Sequence, residues 1–236
     1  MGTLLIFQTE GGVPARAFVL LCRVNLQVCC ERKTAESAIV VKLDFGPRHA
    51  APKKGLQTTM PFFNHMLEQV IWRGEFNLEV NVELQDFYLS HVICEDIGIT
   101  MGTAVKEYVE RKLPDGLAGY GLALATIDEA LARAVISFEN RAYFDFSHSG
   151  IIIPAQTENT NSEDLQAFLE GFVQGARCTL HLDLLKGING HHIWEAVFRS
   201  LGGALFEALQ QREWRKGMTA GVAGPIQMNL STNGQP

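Results

Sequence analysis

Val80-Asn81-Val82-Glu83 followed by His91-Val92-Ile93-Cys94-Glu95 returns one hundred residues later as Leu180-His181-Leu182-Asp183 followed by His191-His192-Ile193-Trp194-Glu195. In each copy an apolar run of strand character leads to a histidine with a glutamate four positions on. The two copies need no insertion to align. Because similar elements surround both, the spacing predicts a single domain built from two repeats, about residues 24–115 and 116–216. If Asn189 or Gly190 opens a helix, His191, Glu195 and Arg199 share one face, and Trp194, Val197, Phe198, Leu201 and Leu205 form an apolar side. A neutral imidazole and a carboxylate one helical turn apart can hold a divalent cation together. His192 lies about 100° further round and would face a second ion. A solvated helix start with two capping histidines would give the same pattern.

Working outward, the 236 residues suit one large domain or two small ones with a sizeable core. Hydrophobic content of 47% with 19% charged residues describes a globular protein rather than a disordered one. The net charge of −6 gives no support to a nucleic-acid-binding surface, although a local basic pocket for an anionic metabolite remains compatible with it. Cys22, Cys29, Cys30, Cys94 and Cys178 are unevenly spaced, as free thiols in a reducing, cytoplasmic setting would be. No apolar run is long enough to span a membrane. Residues 1–23 read as an N-terminal arm without the basic start of a secretory signal.

Strand patterns occupy residues 17–30 and 38–45, and the segment from Arg32 to Ser37 lies between them. A helix with proline at its start is predicted over 61–72, a strand over 76–84 and a helix over 91–111. Residues 114–121 form a turn-rich break. Beyond it come strands within 122–132 and 134–146, a polar loop at 157–164 and a helix at 165–176. A strand at 178–185, a helix over 191–212 and an irregular tail over 217–236 complete the chain.

These residues resemble the imidazoleglycerol-phosphate dehydratase family of histidine biosynthesis over most of the chain. The pieces that carry the resemblance are Arg-x-Thr-x-Glu (Arg32, Thr34, Glu36), Phe-Phe-x-His-Met-Leu-x-Gln (Phe62 to Gln69) and His-x-x-x-Glu-Asp-x-Gly (His91 to Gly98). Asp128-Glu-Ala-Leu131, Asn140-Arg-x-Tyr143, Leu180-His181 and Gly-x-Asn-x-His-His-x-x-Glu-Ala-x-Phe (Gly187 to Phe198) continue it. The resemblance implies an α+β fold, an internally duplicated two-layer sandwich like the second domain of ribosomal protein S5. Each half would be a mostly antiparallel sheet with helices on one side. It implies a homo-oligomer, trimers assembling into a 24-mer, with sites between subunits. It further implies two manganese ions per site, for which the matching ligands here are His65, His91, Glu95, His181, His191, His192 and Glu195. A small phosphorylated imidazole substrate would be held as its ring anion, with Glu36, Glu195 and His65 in catalytic roles. Gln69, Arg73, Arg141, Arg199, Ser231, Thr232 and Asn233 match substrate-binding positions.

The chain also departs from that pattern. Val92 stands where a second histidine is expected, which removes one ligand of eight; Cys94, three positions after His91, could offer a thiolate in compensation, although a small buried thiol is its usual role. Leu89-Ser90 replaces an acidic pair, and Asn64 replaces an aspartate, at positions suited to orienting ligands. At the phosphate pocket Asn233 takes the place of a lysine, an arginine is missing at Gly119, and Arg73 replaces a histidine. Each lost cation is expected to cost about 1–3 kcal/mol. Two readings follow: a weakened manganese-dependent lyase acting without nucleic acid or membrane, or a catalytically silent paralogue that keeps the shell fold and part of the metal site.

Overall fold

A computed structural model describes residues 26–84, 88–222 and 224, so the expected arm at 1–23 and the tail residues Ser231, Thr232 and Asn233 lie outside the described residues. Alternation of apolar and polar side chains produces β1 (Gln27–Lys33) and β2 (Ser37–Asp44), with Ile39, Val41 and Leu43 turned inward. The chain continues through β3 (Leu56–Gln57), α1 (Pro61–Gly74), β4 (Asn77–Leu84) and α2 (Ser90–Lys112). After a short helical turn at Leu113–Asp115 come β5 (Tyr120–Ile127), β6 (Ala130–Ser137) and β7 (Tyr143–Ser147). The two-residue pair β8 (Gln156–Thr157) and β9 (Thr160–Asn161), then α3 (Ser162–Ala176), β10 (Thr179–Lys186) and α4 (Gly190–Ala208), follow.

The strand orders reproduce the duplication: β1-β2-β4-β3 in one sheet and β5-β6-β10-β7 in the other. In both, the outermost short strand runs parallel to its neighbour and the other pairs are antiparallel. Val80 pairs with Val41 and Leu56, and Leu180 pairs with Ile136 and Phe144. The hundred-residue shift is therefore a structural equivalence. This is an α+β fold, with the helices of each half on one face of its sheet.

The helices join the halves. α2 packs on β1 and β2 but also lies along α3, and α4 covers β5 and β6 while packing on α1. The crossing of α2 and α3 is close enough that a Cβ at Gly102 would run into the carbonyl oxygen of Phe172. Glycine on both helices permits that approach. One core, from Ile39 through Phe63, Phe168 and Trp194 to Leu205, spans both halves.

Several boundaries differ from the sequence pattern. β1 runs on through Arg32 and Lys33 because those residues complete the ladder with Ala38 and Ile39. The predicted polar loop at 157–164 contains the β8–β9 pair and the first turn of α3. α4 stops at Ala208 rather than Arg212, where residues 210–212 instead make backbone contacts with residues 116–118. The outer faces differ in character. Sheet one presents Cys29, Glu31, Lys42, Asn81 and Glu83 to solvent, whereas sheet two presents Tyr120, Leu122, Leu124, Val135 and Tyr143.

Candidate metal centre

The start of α4 carries the densest chemistry. Asn189 is its N-cap, and its side-chain oxygen accepts from the backbone N–H groups of His191 (2.8 Å) and His192 (3.4 Å). That side chain satisfies amides which would otherwise lack partners. It also anchors the backbone from which the two adjacent imidazoles project.

His191 and Glu195 share a face, as their spacing predicts, and α1 brings His65 from the other half to meet them. His65 Nε2 lies 2.7 Å from Glu195 Oε1, and His191 Nε2 lies 3.8 Å from the same oxygen. The two imidazole rings are 5.4 Å apart between centroids. Glu195 is only 4% exposed. Its buried Oε2 has no hydrogen-bond partner, only the ion pair with Arg199 Nη2 at 3.0 Å. Ligand atoms from His65, His191 and Glu195 all fall within 4.8 Å of one another. Two imidazole nitrogens and a carboxylate with spare acceptor capacity make a donor set that fits a divalent cation. The group opens into a cleft of about 570 Å3 bordered by Phe62, Tyr88, Glu158 and Asn159.

Arg199 spends its donors inside the protein: Nε donates to Gln69 Oε1 (2.8 Å), Nη1 to the Thr126 carbonyl (3.2 Å), and Nη2 pairs with Glu195. Gln69 Nε2 in turn lies 3.5 Å from the His65 ring. Arg199 and Gln69 thus support the ligands from behind.

His192 turns to a second cluster. Its Nδ1 is 2.8 Å from Glu129 Oε2, and its Nε2 is 3.6 Å from Asp128 Oδ2. Glu129 and Asp128 sit at the tip of the β5–β6 hairpin. The backbone amide of Asn189 and the His192 ring, with the Ile188 amide adding to them, hold the Glu129 carboxyl down to about 2. The hydrogen bond that the His192 ring donates to Glu129 raises the His192 pKa above the ordinary histidine value. Ligand-type atoms of these three residues also lie within 4.8 Å of one another. Asp128-Glu129 was legible in the sequence only as part of a motif; its contact partner 63 positions away was not.

The other expected ligands stand apart. His91 is exposed at the start of α2, with Nδ1 3.8 Å from Asp164, and Glu95 is half-buried one turn on. His181 lies on the outer face of sheet two, 3.7 Å from Asp145. Glu36 is exposed at the β1–β2 turn, where its backbone N–H donates to Thr34 Oγ1. Arg73 and Arg141 are exposed. Cys94 faces the core, fully buried, with its sulfur 3.7 Å from that of Met60. Burial pushes its thiol well above the usual range, so it supplies no thiolate in place of the missing histidine. Gly119 adopts φ +75, a backbone conformation suited to glycine rather than to the arginine expected there.

Known proteins are similar to this chain in sequence and in fold. A family model described as imidazoleglycerol-phosphate dehydratase matches residues 58–205. The imidazoleglycerol-phosphate dehydratase of Burkholderia multivorans is 36% identical over 198 residues, 83% of this chain and 96% of that protein. The corresponding protein of Burkholderia ambifaria is 35% identical with the same coverage. Among solved structures, the Staphylococcus aureus imidazoleglycerol-phosphate dehydratase superposes with a TM-score of 0.66 at 27% identity, covering 79% of this chain and all of that one. The Pyrococcus furiosus protein gives 0.64 at 29% identity, covering 80% of this chain and 99% of its own. With its duplicated sheets, its histidine–glutamate helix starts and these relatives, the chain belongs to the imidazoleglycerol-phosphate dehydratase family of hydro-lyases.

Proposed function

We propose that this protein dehydrates imidazoleglycerol phosphate to imidazole-acetol phosphate in cytoplasmic histidine biosynthesis, using manganese. The observation that carries the reading is the meeting of His65 from one half with His191 and Glu195 from the other around a single buried carboxylate. His65, His191 and Glu195 would hold one ion, and His192 would belong to a second. A bound divalent ion would supply Lewis acidity, favouring the anionic form of an azole ring and stabilising the negative charge that builds up as a proton leaves beside it.

The chain's own residues supply the rest. Arg199 pairs with Glu195 and, through Gln69, restrains His65. Glu36, exposed on a turn, is the candidate to take the proton from the carbon beside the ring or to hand one to the departing hydroxyl. Arg141 and Arg73 offer exposed cations for the phosphate, and Ser231, Thr232 and Asn233 are the candidate neutral hydrogen-bond donors.

His91, Glu95 and His181 fit this reading as ligands contributed across subunit boundaries in a homo-oligomer, expected as trimers assembling into a 24-mer. Support comes from the outer face of sheet two, where one row across four strands reads Leu122, Val135, His181, Asp145. Leu122 is 59% exposed and its neighbour Leu124 60%. An apolar face of that kind, carrying an imidazole, suits burial against a second copy.

A catalytically silent paralogue is the second reading. Two observations favour it: the missing ligand at Val92, which Cys94 does not replace, and the left-handed backbone at Gly119. The deciding experiment strips the full-length protein of metal, reloads it with Mn2+, and follows metal per subunit together with formation of imidazole-acetol phosphate. Metal-dependent turnover is expected. No product at saturating substrate, with one ion or none bound, would leave the silent paralogue standing.

A further inference from the structure

We propose that Glu129 is a positioning residue: it accepts the Nδ1–H of His192, fixes that ring's tautomer, and turns Nε2 outward as the nitrogen offered to a cation. The proposal rests on the metal-binding reading of α4 given above, and it gives a task to two stretches, Asp128-Glu129 and Gly187–Gly190, that the reaction itself does not use.

Glu129 is held from several directions. The β5–β6 ladder runs to Ile127 and Ala130, immediately beside it, and Asp128 takes the tight turn with φ +44. Glu129 Oε1 accepts from the backbone N–H groups of Asn189 (2.8 Å) and Ile188 (3.3 Å), which docks the hairpin tip onto the turn that precedes α4. Its second oxygen, Oε2, is left 2.8 Å from His192 Nδ1. An ionised carboxylate only accepts hydrogen bonds, so Nδ1 carries the proton and the neutral ring keeps its lone pair on Nε2. Asp128 Oδ2, 3.6 Å from Nε2, adds negative charge on that side. The ring is thus tied at Nδ1 by Glu129 and at its own backbone N–H by Asn189. A carboxylate–imidazole–metal chain of this type sets ligand orientation and basicity, and losing the outer carboxylate typically costs about 10–100-fold in metal affinity.

The test uses full-length protein labelled with 15N at histidine. In metal-free wild type, above the titration range of His192, its ring is expected as the Nδ1–H tautomer. Glu129→Ala should return it to the Nε2–H form usual for a free histidine. Mn2+ titrations followed by electron paramagnetic resonance should show Glu129→Ala losing about 10–100-fold in affinity at one ion. Glu129→Gln, which keeps an oxygen acceptor, should lose less and retain Nδ1–H. Asn189→Ala removes the helix cap without touching the ring contact, so it should leave the tautomer unchanged. An Nε2–H ring in wild type, or unaltered Mn2+ affinity in Glu129→Ala, overturns the proposal. Failure of wild type to bind Mn2+ would overturn the metal reading and with it the ligand role of Nε2. The tautomer measurement needs no metal, so it still decides the Glu129 contact on its own.

Discussion

The starts of α2 and α4 are equivalent positions in a duplicated scaffold, yet they are equipped unequally. At α4, Asn189 caps the helix, two imidazoles follow, and a carboxylate arrives from a hairpin tip. At α2 the cap position is Leu89, which makes no side-chain cap bond, and a single imidazole is followed by Val92. Hairpin length explains part of the contrast. From the equivalent rows Cys30↔Val41 and Gly121↔Ile136, the β1–β2 ladder ends at Lys33↔Ala38, whereas β5–β6 continues to Ile127↔Ala130. The first hairpin is therefore shorter and does not deliver a carboxylate in the way Glu129 is delivered. The contact there runs the other way: Asp96, buried in α2, accepts from Ser37 Oγ at 2.8 Å and pairs with Arg32 at 2.8 Å. The second half gathers imidazoles and a carboxylate at its helix start, whereas the first uses its carboxylate to join helix to sheet.

The strongest way to break this comparison is to remove the two glutamates in turn. Glu195→Gln is expected to lower turnover by roughly 10³-fold or more, since it deletes the buried ligand charge shared by His65, His191 and Arg199. Glu95→Gln should cost only about 10–100-fold, a loss comparable to that of a supporting group. Metal content by mass spectrometry and rates at saturating Mn2+ would measure both; equal losses would mean that the halves contribute alike.

Val92→His sharpens the comparison from the other side. It should raise metal affinity and turnover, but by no more than about 10-fold, because the first half has no counterpart of Glu129 to orient the new ring. No gain in metal bound per subunit would show that position 92 does not face the ions.

A smaller effect is expected at the caps. Asn189→Ala should cost about 1 kcal/mol of stability, and Leu89→Asn should add a similar amount or less, both read as shifts in Tm. If both variants melt as wild type does, the caps contribute nothing to the difference between the halves.

The smallest effect concerns pH. Glu129 has a depressed pKa, so its contribution is present above the unfolded value of about 4.3 and fades as pH falls through about 2. His192 has a raised pKa, so its contribution is present below the unfolded value of about 6.5 and fades as pH rises through its folded value. The pair should therefore stabilise the α4 start most between roughly pH 4 and 6.5. In metal-free protein the His192 midpoint is expected above that of a free histidine, and Glu129→Gln should lower it. An unchanged midpoint in that variant would remove the ion pair from the account.

Much of this architecture could be read from residues alone because its signals are local. Helix periodicity located α1 and α2 to within a few residues, and the hundred-residue echo anticipated two sheets of the same order. Spacing put His191, Glu195 and Arg199 on one face. Where local pattern competed with tertiary contact it failed. Residues 210–212 continue the helical composition of α4, yet the helix ends at Ala208, where backbone contacts with residues 116–118 take over. Cys94, by contrast, is the buried thiol that its residue type favours, facing Met60 and the core.

The sequence by itself determined the repeat, the pairing of histidine with glutamate at each helix start, and the valine at position 92 where the second repeat carries His192. Each depends only on residue type and on spacings fixed by helix or strand geometry. Only the tertiary structure decided that His65 would be the imidazole to meet His191 and Glu195, and that Glu129 would reach His192. Those meetings, 130 and 63 positions apart along the chain, are set by α1 packing on α4 and by how far one hairpin extends. Contacts of that kind follow from where whole elements dock, which no short window of sequence encodes.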